Sequence, residues 1–228
     1  MLKEALEQIL KQEAVFIPRG EVSEEYVRLI LQSSVVREMA EGWWVECRHR
    51  LRTPASEGAI QAAEAALGHH LPEALQDLLK ITDGARLYEI PGAWVPDWVR
   101  EQDPEASLVL YHLFSTSELV AVNRKLFCLF RDVLGDDPDF RHVEQLNYVA
   151  FCDAHDGNYL AILLEGPEAG KVFLLHHEYW YRPYGEREVD LYYTVAKSLE
   201  EWLWQVTVSE WWVGFEALMK ECEPGGSE

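Results

Sequence analysis

TPASEGAIQAAEAALGHHLPEALQDLLKITDG, residues 53–84, contains two helices and the joint between them. Thr53-Pro54-Ala55-Ser56 has the composition of a loop that leads into a helix. Ile60, Ala63, Ala66 and Leu67 then fall on one face at helical spacing. Gly68 suits the left-handed position just past a helix end, where a side chain is disfavoured. Leu71-Pro72 restarts a helix with proline at its first position, where the missing N–H has no intrahelical partner to lose. Leu75, Leu78 and Leu79 form its apolar face, and Asp83-Gly84 closes it. The expectation is a compact helix pair with a tight joint.

Towards the N-terminus, Leu2, Leu6, Ile9 and Leu10 predict an amphipathic helix over 2–14, followed by a turn at Ile17-Pro18-Arg19-Gly20. A second helix is expected from Ser23 as N-cap to about Ala40, with Val27, Ile30, Leu31 and Val35 along one side and Gly42 ending it. Trp43-Trp44-Val45 and the residues after it are strand-like. They carry a basic knot, Arg48-His49-Arg50-Leu51-Arg52.

Towards the C-terminus, residues 85–110 read as irregular, with Pro91, Gly92, Pro96 and Pro104 among tryptophans and carboxylates. Ser115-Thr116-Ser117-Glu118 is a capping box ahead of Leu119, Val122, Leu126, Leu129 and Phe130. Strands follow at 146–152, 159–164 and 171–177, the first two joined through an Asp156-Gly157 turn. A second capping box, Ser198 to Glu201, opens a last helix through Trp202, Leu203, Val206 and Val213 to about Met219. Residues 221–228 read as a frayed tail. Helices, then hairpin-connected strands, then a closing helix make an α+β chain with an antiparallel sheet.

The 228 residues carry forty acidic and twenty basic side chains, a net charge of −20. Residues 1–52 hold nine acidic and eight basic residues, a net of −1, which leaves −19 on 53–228. Such a surface repels phosphate backbones, which argues against nucleic acid as a partner. It steers a basic partner inward, and it also serves plain solubility. No apolar run reaches the roughly 18 residues of a membrane span, and no signal-peptide core opens the chain, so a cytoplasmic protein is expected. Cys47, Cys128, Cys152 and Cys222 are scattered without metal-ligand spacing and read as buried or incidental thiols.

Candidate catalytic groupings are weak. On a strand, His176 and His177 point to opposite faces and cannot easily share a metal. His69-His70 reads as a solvated helix joint. Asp153, His155 and Asp156 fit turn chemistry as well as an acid–base pair. No nucleophile elbow, zinc-helix motif or phosphate loop occurs. The residues better suited to binding lie in apparent loops. They are Trp94, Asp97 and Trp98; Asp136, Asp137 and Asp139; and Trp180, Glu186 and Glu188, with Glu101, Asp103, Glu105 and Asp190 adding to an acidic face. The tryptophan rings serve equally as lids on the core.

Residues Pro54 to Leu203 resemble the SUKH superfamily, which includes the yeast Smi/Knr-type cell-wall regulators and bacterial immunity proteins. The likeness rests on Pro54, Ile60, Glu64, Leu67-Gly68, Leu71-Pro72, Leu79 and Asp83-Gly84. Tyr148-Val149-Ala150-Phe151, Asp156-Gly157, Tyr159 to Ile162, Val172 to His176, and Ser198 to Leu203 extend it. The resemblance implies an α+β fold with a bent antiparallel sheet flanked by helices. The expected layout is an N-terminal helical extension over 1–50, a SUKH-like domain over 51–220 and a flexible tail over 221–228. It also implies a non-catalytic protein-binding module without cofactor or metal. The partner implied is a basic toxin domain of nuclease or deaminase type, which an immunity protein neutralises by masking it. The alternative is a housekeeping scaffold in a larger complex.

Overall fold

The computed structural model describes residues 1–18, 36–90, 108–134, 147–154, 157–175 and 192–208. An antiparallel seven-stranded sheet organises them. Its strands are β4 (Arg48–Leu51), β5 (Ala85–Ile90), β6 (Leu108–Leu113), β7 (Tyr148–Asp153), β8 (Tyr159–Leu163), β9 (Val172–Leu175) and β10 (Tyr192–Ala196). They lie side by side in chain order, from β4 at one edge to β10 at the other. A smaller sheet of three strands, β1 (Ala14–Pro18), β2 (Val36–Glu38) and β3 (Gly42–Glu46), places β3 in the middle. The helices are α1 (Leu2–Ile9), α2 (Glu57–Leu67), α3 (Glu73–Ile81), α4 (Thr116–Leu134) and α5 (Leu199–Val208). This is the α+β architecture with a large antiparallel sheet that the sequence predicts.

The helix pair over 53–84 forms as read. Ser56 Oγ accepts from Ala59 N, and Gly68 ends α2 at φ +81°. Pro72 stands one position earlier than expected, as the N-cap of α3. Glu64 locks the joint, with its Oε1 accepting from Leu71 N at 2.8 Å and from Gln76 Nε2 at 3.2 Å. The capping box also forms: Ser115 N donates to Glu118 Oε2 at 2.8 Å, and Glu118 N donates to Ser115 Oγ at 3.3 Å. Asp83 adds to the same helix start, accepting from Thr116 N at 2.6 Å and from Thr116 Oγ1 at 3.2 Å. One orphan backbone donor of α4, Thr116 N, is thus satisfied by the Asp-Gly corner 33 residues earlier, which holds the Thr116 hydroxyl as well.

Several expectations are corrected. The first helix stops at Ile9, and Ile17 and Pro18 belong to β1 instead of a turn. Residues 19–35 of the expected second helix lie outside the described residues, but Val36–Glu38 is a strand, and Gly42 opens β3. The strand-like run over 43–52 divides at Cys47 between the two sheets. The ends of the supposedly irregular tract 85–110 are β5 and β6, while 91–107 lies outside the described residues. No apolar pattern marks β5, because Arg86 and Glu89 interrupt it, although Glu89 is buried. The last helix is described as far as Val208; Val213 and Met219 lie beyond, as does the tail.

The larger of two core clusters joins both sheets and draws on every described helix, while Leu126 of α4 packs with Ala150, Ala161, Phe173 and Leu175 in a smaller one. Leu6, Ile9, Ile17, Trp43 and Val45 belong to the same cluster as Leu75, Leu87, Leu119, Phe151 and Trp202. Trp202 is 0% exposed and stands edge-on to Phe151 at 5.3 Å and Tyr111 at 5.6 Å. These perpendicular arrangements set ring edges against ring faces, which the aromatic quadrupole favours. The N-terminal residues therefore add to the domain's core and do not form a core of their own.

Candidate interaction surface

The nine expected contact residues, Trp94, Asp97, Trp98, Asp136, Asp137, Asp139, Trp180, Glu186 and Glu188, all lie outside the described residues. The sheet nevertheless fixes where their segments are anchored. Ile90 pairs with Leu108, Asp153 with Tyr159, Tyr159 with Leu175, and Leu175 with Tyr192. β5, β7 and β9 therefore run in the same direction, but β6 pairs with β7 only through His112–Asp153 and Leu113–Cys152. Asp153, Tyr159, Leu175 and Tyr192 are thus level with Arg86 and His112, four residues short of Leu108. Segment 135–146 rejoins at the other end of β7, where Tyr148 pairs with Leu163 and Asn147 O accepts from Leu164 N.

The basic knot of the sequence is occupied by carboxylates. Glu89, 0% exposed, receives Arg48 Nε at 3.0 Å and Nη2 at 3.1 Å, Arg50 Nε at 2.7 Å, and Arg86 Nη1 at 3.8 Å. A bulge brings these four together. From Arg48 to Arg50 the register advances two residues in β4 but three in β5, from Glu89 to Arg86. The extra residue is accommodated at Tyr88, whose φ is +52°. Arg52 reaches across to α4 instead, making a fork to Glu118 with both bonds at 2.9 Å. His112 Nε2 stands 3.5 Å from the same carboxylate. Burial raises the Glu118 pKa, but the pull of His112, Arg52 and Ser115 outweighs it and holds the group well below the usual carboxylate range.

A second junction ties the N-terminal residues to the sheet. His49 Nδ1 accepts from Tyr88 N at 3.1 Å, and Nε2 contacts Gln12 O at 2.9 Å. That pair of contacts makes the ring neutral, with its proton on Nε2. Tyr88 Oη reaches Gln12 Oε1 and, at 2.9 Å, Val206 O, while Gln12 Nε2 donates to Thr207 O at 2.6 Å. The ends of α1 and α5 are thereby fastened to the bulge. Asn123 does the same for α4 and β7, donating to Ala150 O at 2.8 Å and accepting from Ala150 N at 2.9 Å.

Burial pushes the Cys47 thiol up to about 12. Cys152, fully enclosed and beside the Asp153 charge, is also raised well above its ordinary value. Both fit the expected buried apolar use, whereas Cys128 is exposed. Among the described residues no group of three or more His, Cys, Asp or Glu side chains could hold a metal ion. His155, Asp156, His176 and His177 lie outside them. No described helix is long and apolar enough to cross a membrane.

A long antiparallel sheet that is helix-backed, internally capped and hung with acidic and aromatic connections defines an α+β scaffold. The SMI1 / KNR4 family (SUKH-1) matches residues 54–205, two-thirds of the chain, and the protein belongs to that family. The match begins at Pro54, after the Arg48–Arg52 knot and the small sheet. Comparison with characterised proteins gives no significant match.

Proposed function

We propose that this protein is a non-catalytic, cytoplasmic binding module that masks a basic partner, in the manner of an immunity protein neutralising a toxin domain of nuclease or deaminase type. Family membership supports a protein-interaction role. The observation that carries the finer reading is the charge division: −19 of the −20 falls on residues 53–228, which include the whole family-matched region. A field of that sign speeds encounter with a basic surface and opposes nucleic acid. Trp94, Asp97, Trp98, Asp136, Asp137, Asp139, Trp180, Glu186 and Glu188 are the proposed contact residues, because they are aromatic and acidic side chains in segments whose composition is that of loops. Aromatic rings serve as anchors, since binding energy concentrates in such residues.

The test is binding of the purified chain to a toxin-like domain encoded next to it, followed by stopped-flow at rising salt. The expected result is a complex whose association slows as salt increases. Absence of binding at low salt overturns the reading. A stable complex from native cells that contains no toxin assigns the chain to a scaffold instead.

A further inference from the structure

Three arginines surround one carboxylate on the first strand of the large sheet. We propose that Arg48, Arg50 and Arg86 form a docking point for an acidic segment of a protein partner, taking its carboxylates on the guanidinium N–H groups that Glu89 leaves open. This is separate from the masking of a basic partner and does not depend on it.

Stoichiometry is the first ground. Arg48 grips both oxygens of Glu89, and Arg50 Nε adds a third bond at 2.7 Å. Arg86, at 3.8 Å, adds charge without a good hydrogen bond. Among the described residues the cluster carries three positive charges against one negative, within a chain of −20. The same protein supplies the contrast: Arg52 and Glu118 meet one to one, which leaves no surplus.

Donor capacity is the second ground. A guanidinium has five N–H donors. Arg50 uses only Nε on Glu89, so both of its terminal nitrogens remain to form a fork, and Arg48 keeps Nη1. The arginines are 46%, 45% and 33% exposed, whereas Glu89 is 0% exposed. The buried acid therefore holds the guanidinium groups in place while their outer donors face solvent. Ordering them in advance lowers the entropy lost when a carboxylate arrives.

Position is the third ground. β4 is an edge strand, paired with β5 alone in its sheet, and Arg48 and Arg50 are two residues apart. Gln12 and Glu13 flank the start of that edge at Cys47 and His49, so the acidic segment lies across the face that carries Arg48 and Arg50. An extended segment there places its alternate side chains at the same spacing, and the fitting pattern is acidic-x-acidic. The remaining negative field disfavours a long polyphosphate and tolerates a segment of few charges. A second copy of this edge would set arginine against arginine, so self-pairing is disfavoured too.

The test uses the full chain and a fluorescent Ala-Glu-Ala-Glu-Ala-Glu peptide at about 0.15 M salt, where the Debye length of about 8 Å screens distant acidic groups but not contacts. Anisotropy should report binding that the glutamine version of the peptide lacks. Arg50→Gln should weaken it by about tenfold, equivalent to about 1.4 kcal/mol, while Arg52→Gln should leave it unchanged. If Arg50→Gln lowers the melting temperature, Arg86→Gln serves in its place, since Arg48 and Arg50 still hold Glu89. Failure of the wild type to bind, equal binding of the glutamine peptide, unchanged binding by both arginine variants, or displacement by inorganic phosphate at the peptide's own concentration would each overturn the proposal. Binding of the basic partner to Arg50→Gln is measured in parallel. Loss of the peptide alone supports the docking point, whatever the fate of the masking reading.

Discussion

Tyr88 concentrates more of the local physics than any other residue described. Its positive φ of +52° costs on the order of 1–3 kcal/mol for a non-glycine residue. The phenol offsets that by reaching Gln12 and Val206, and the backbone N–H by reaching His49. Tyr88→Phe keeps the ring but leaves Gln12 Oε1 and Val206 O without this donor. It should lower stability by about 1–3 kcal/mol in urea unfolding. His49 gives this junction a pH dependence. Burial lowers its pKa below 6.5, with the Gln12 carbonyl pulling back weakly. The unfolded chain then binds more protons, so this contribution is fully present above about pH 6.5 and is lost as pH falls below it. His49→Gln should remove that part of the difference between urea midpoints at pH 7 and pH 5. Glu118 acts in a separate, more acidic window: its pKa lies below 4.5, so its contribution holds above that value and disappears with further acidification. Glu118→Gln should flatten the acid limb alone.

At the level of elements, stability rests on side chains that finish what helices and strands leave open. Asn123 satisfies both the N–H and the C=O of Ala150, at the point where the β7–β8 register shifts between Ala150 and Cys152. Asn123→Ala strands two buried backbone groups and should destabilise by about 2–4 kcal/mol, read from thermal unfolding with the spectrum of the folded state unchanged. Gly68 and Gly84 separate conformation from packing. Both have positive φ, but a Cβ at Gly68 meets nothing within 4 Å. At Gly84 it would stand 2.9 Å from Ser115 N and 3.0 Å from Leu113 O. Gly68→Ala should therefore cost about 1 kcal/mol, and Gly84→Ala distinctly more, since it pushes the β6–α4 corner apart. Comparison of the two denaturation midpoints decides this.

On the scale of the whole molecule, the small sheet and α1 are structural parts of the domain even though the family match starts later. Leu2, Ala5, Leu6 and Ile9 are buried in the shared core, and α1 packs on α5 and α3. A chain beginning at residue 51 loses that cover from Leu75, Tyr88 and Trp202 and should not give a cooperative unfolding transition, whereas the full chain should. The opposed charges belong to this scale as well. A strongly acidic body with one arginine cluster at a sheet edge can orient a partner as well as attract it, because the two signs must be matched together.

The helix pair over 53–84, the capping box at Ser115 and the strands β7, β8 and β9 were legible in the sequence because each depends on neighbours a few residues apart. Helical spacing, a cap three residues from its partner and a run of β-formers are local physics. So is the division of charge, which is a property of composition. The strands β1, β2, β5, β6 and β10 and the partition of 43–52 between two sheets were not legible. Arg86 and Glu89 look like loop residues until Arg48 and Arg50, some forty positions earlier, neutralise the buried carboxylate. The Tyr88 bulge, the Asn123 clamp and the Asp83 cap all join groups distant in sequence, and no local pattern announces such pairs. As for the candidate surface, the sequence supplied the aromatic and acidic residues. Only the tertiary structure determined the strand order and the stagger that brings β7 to β6 solely at His112 and Leu113, because pairing joins segments distant in the sequence.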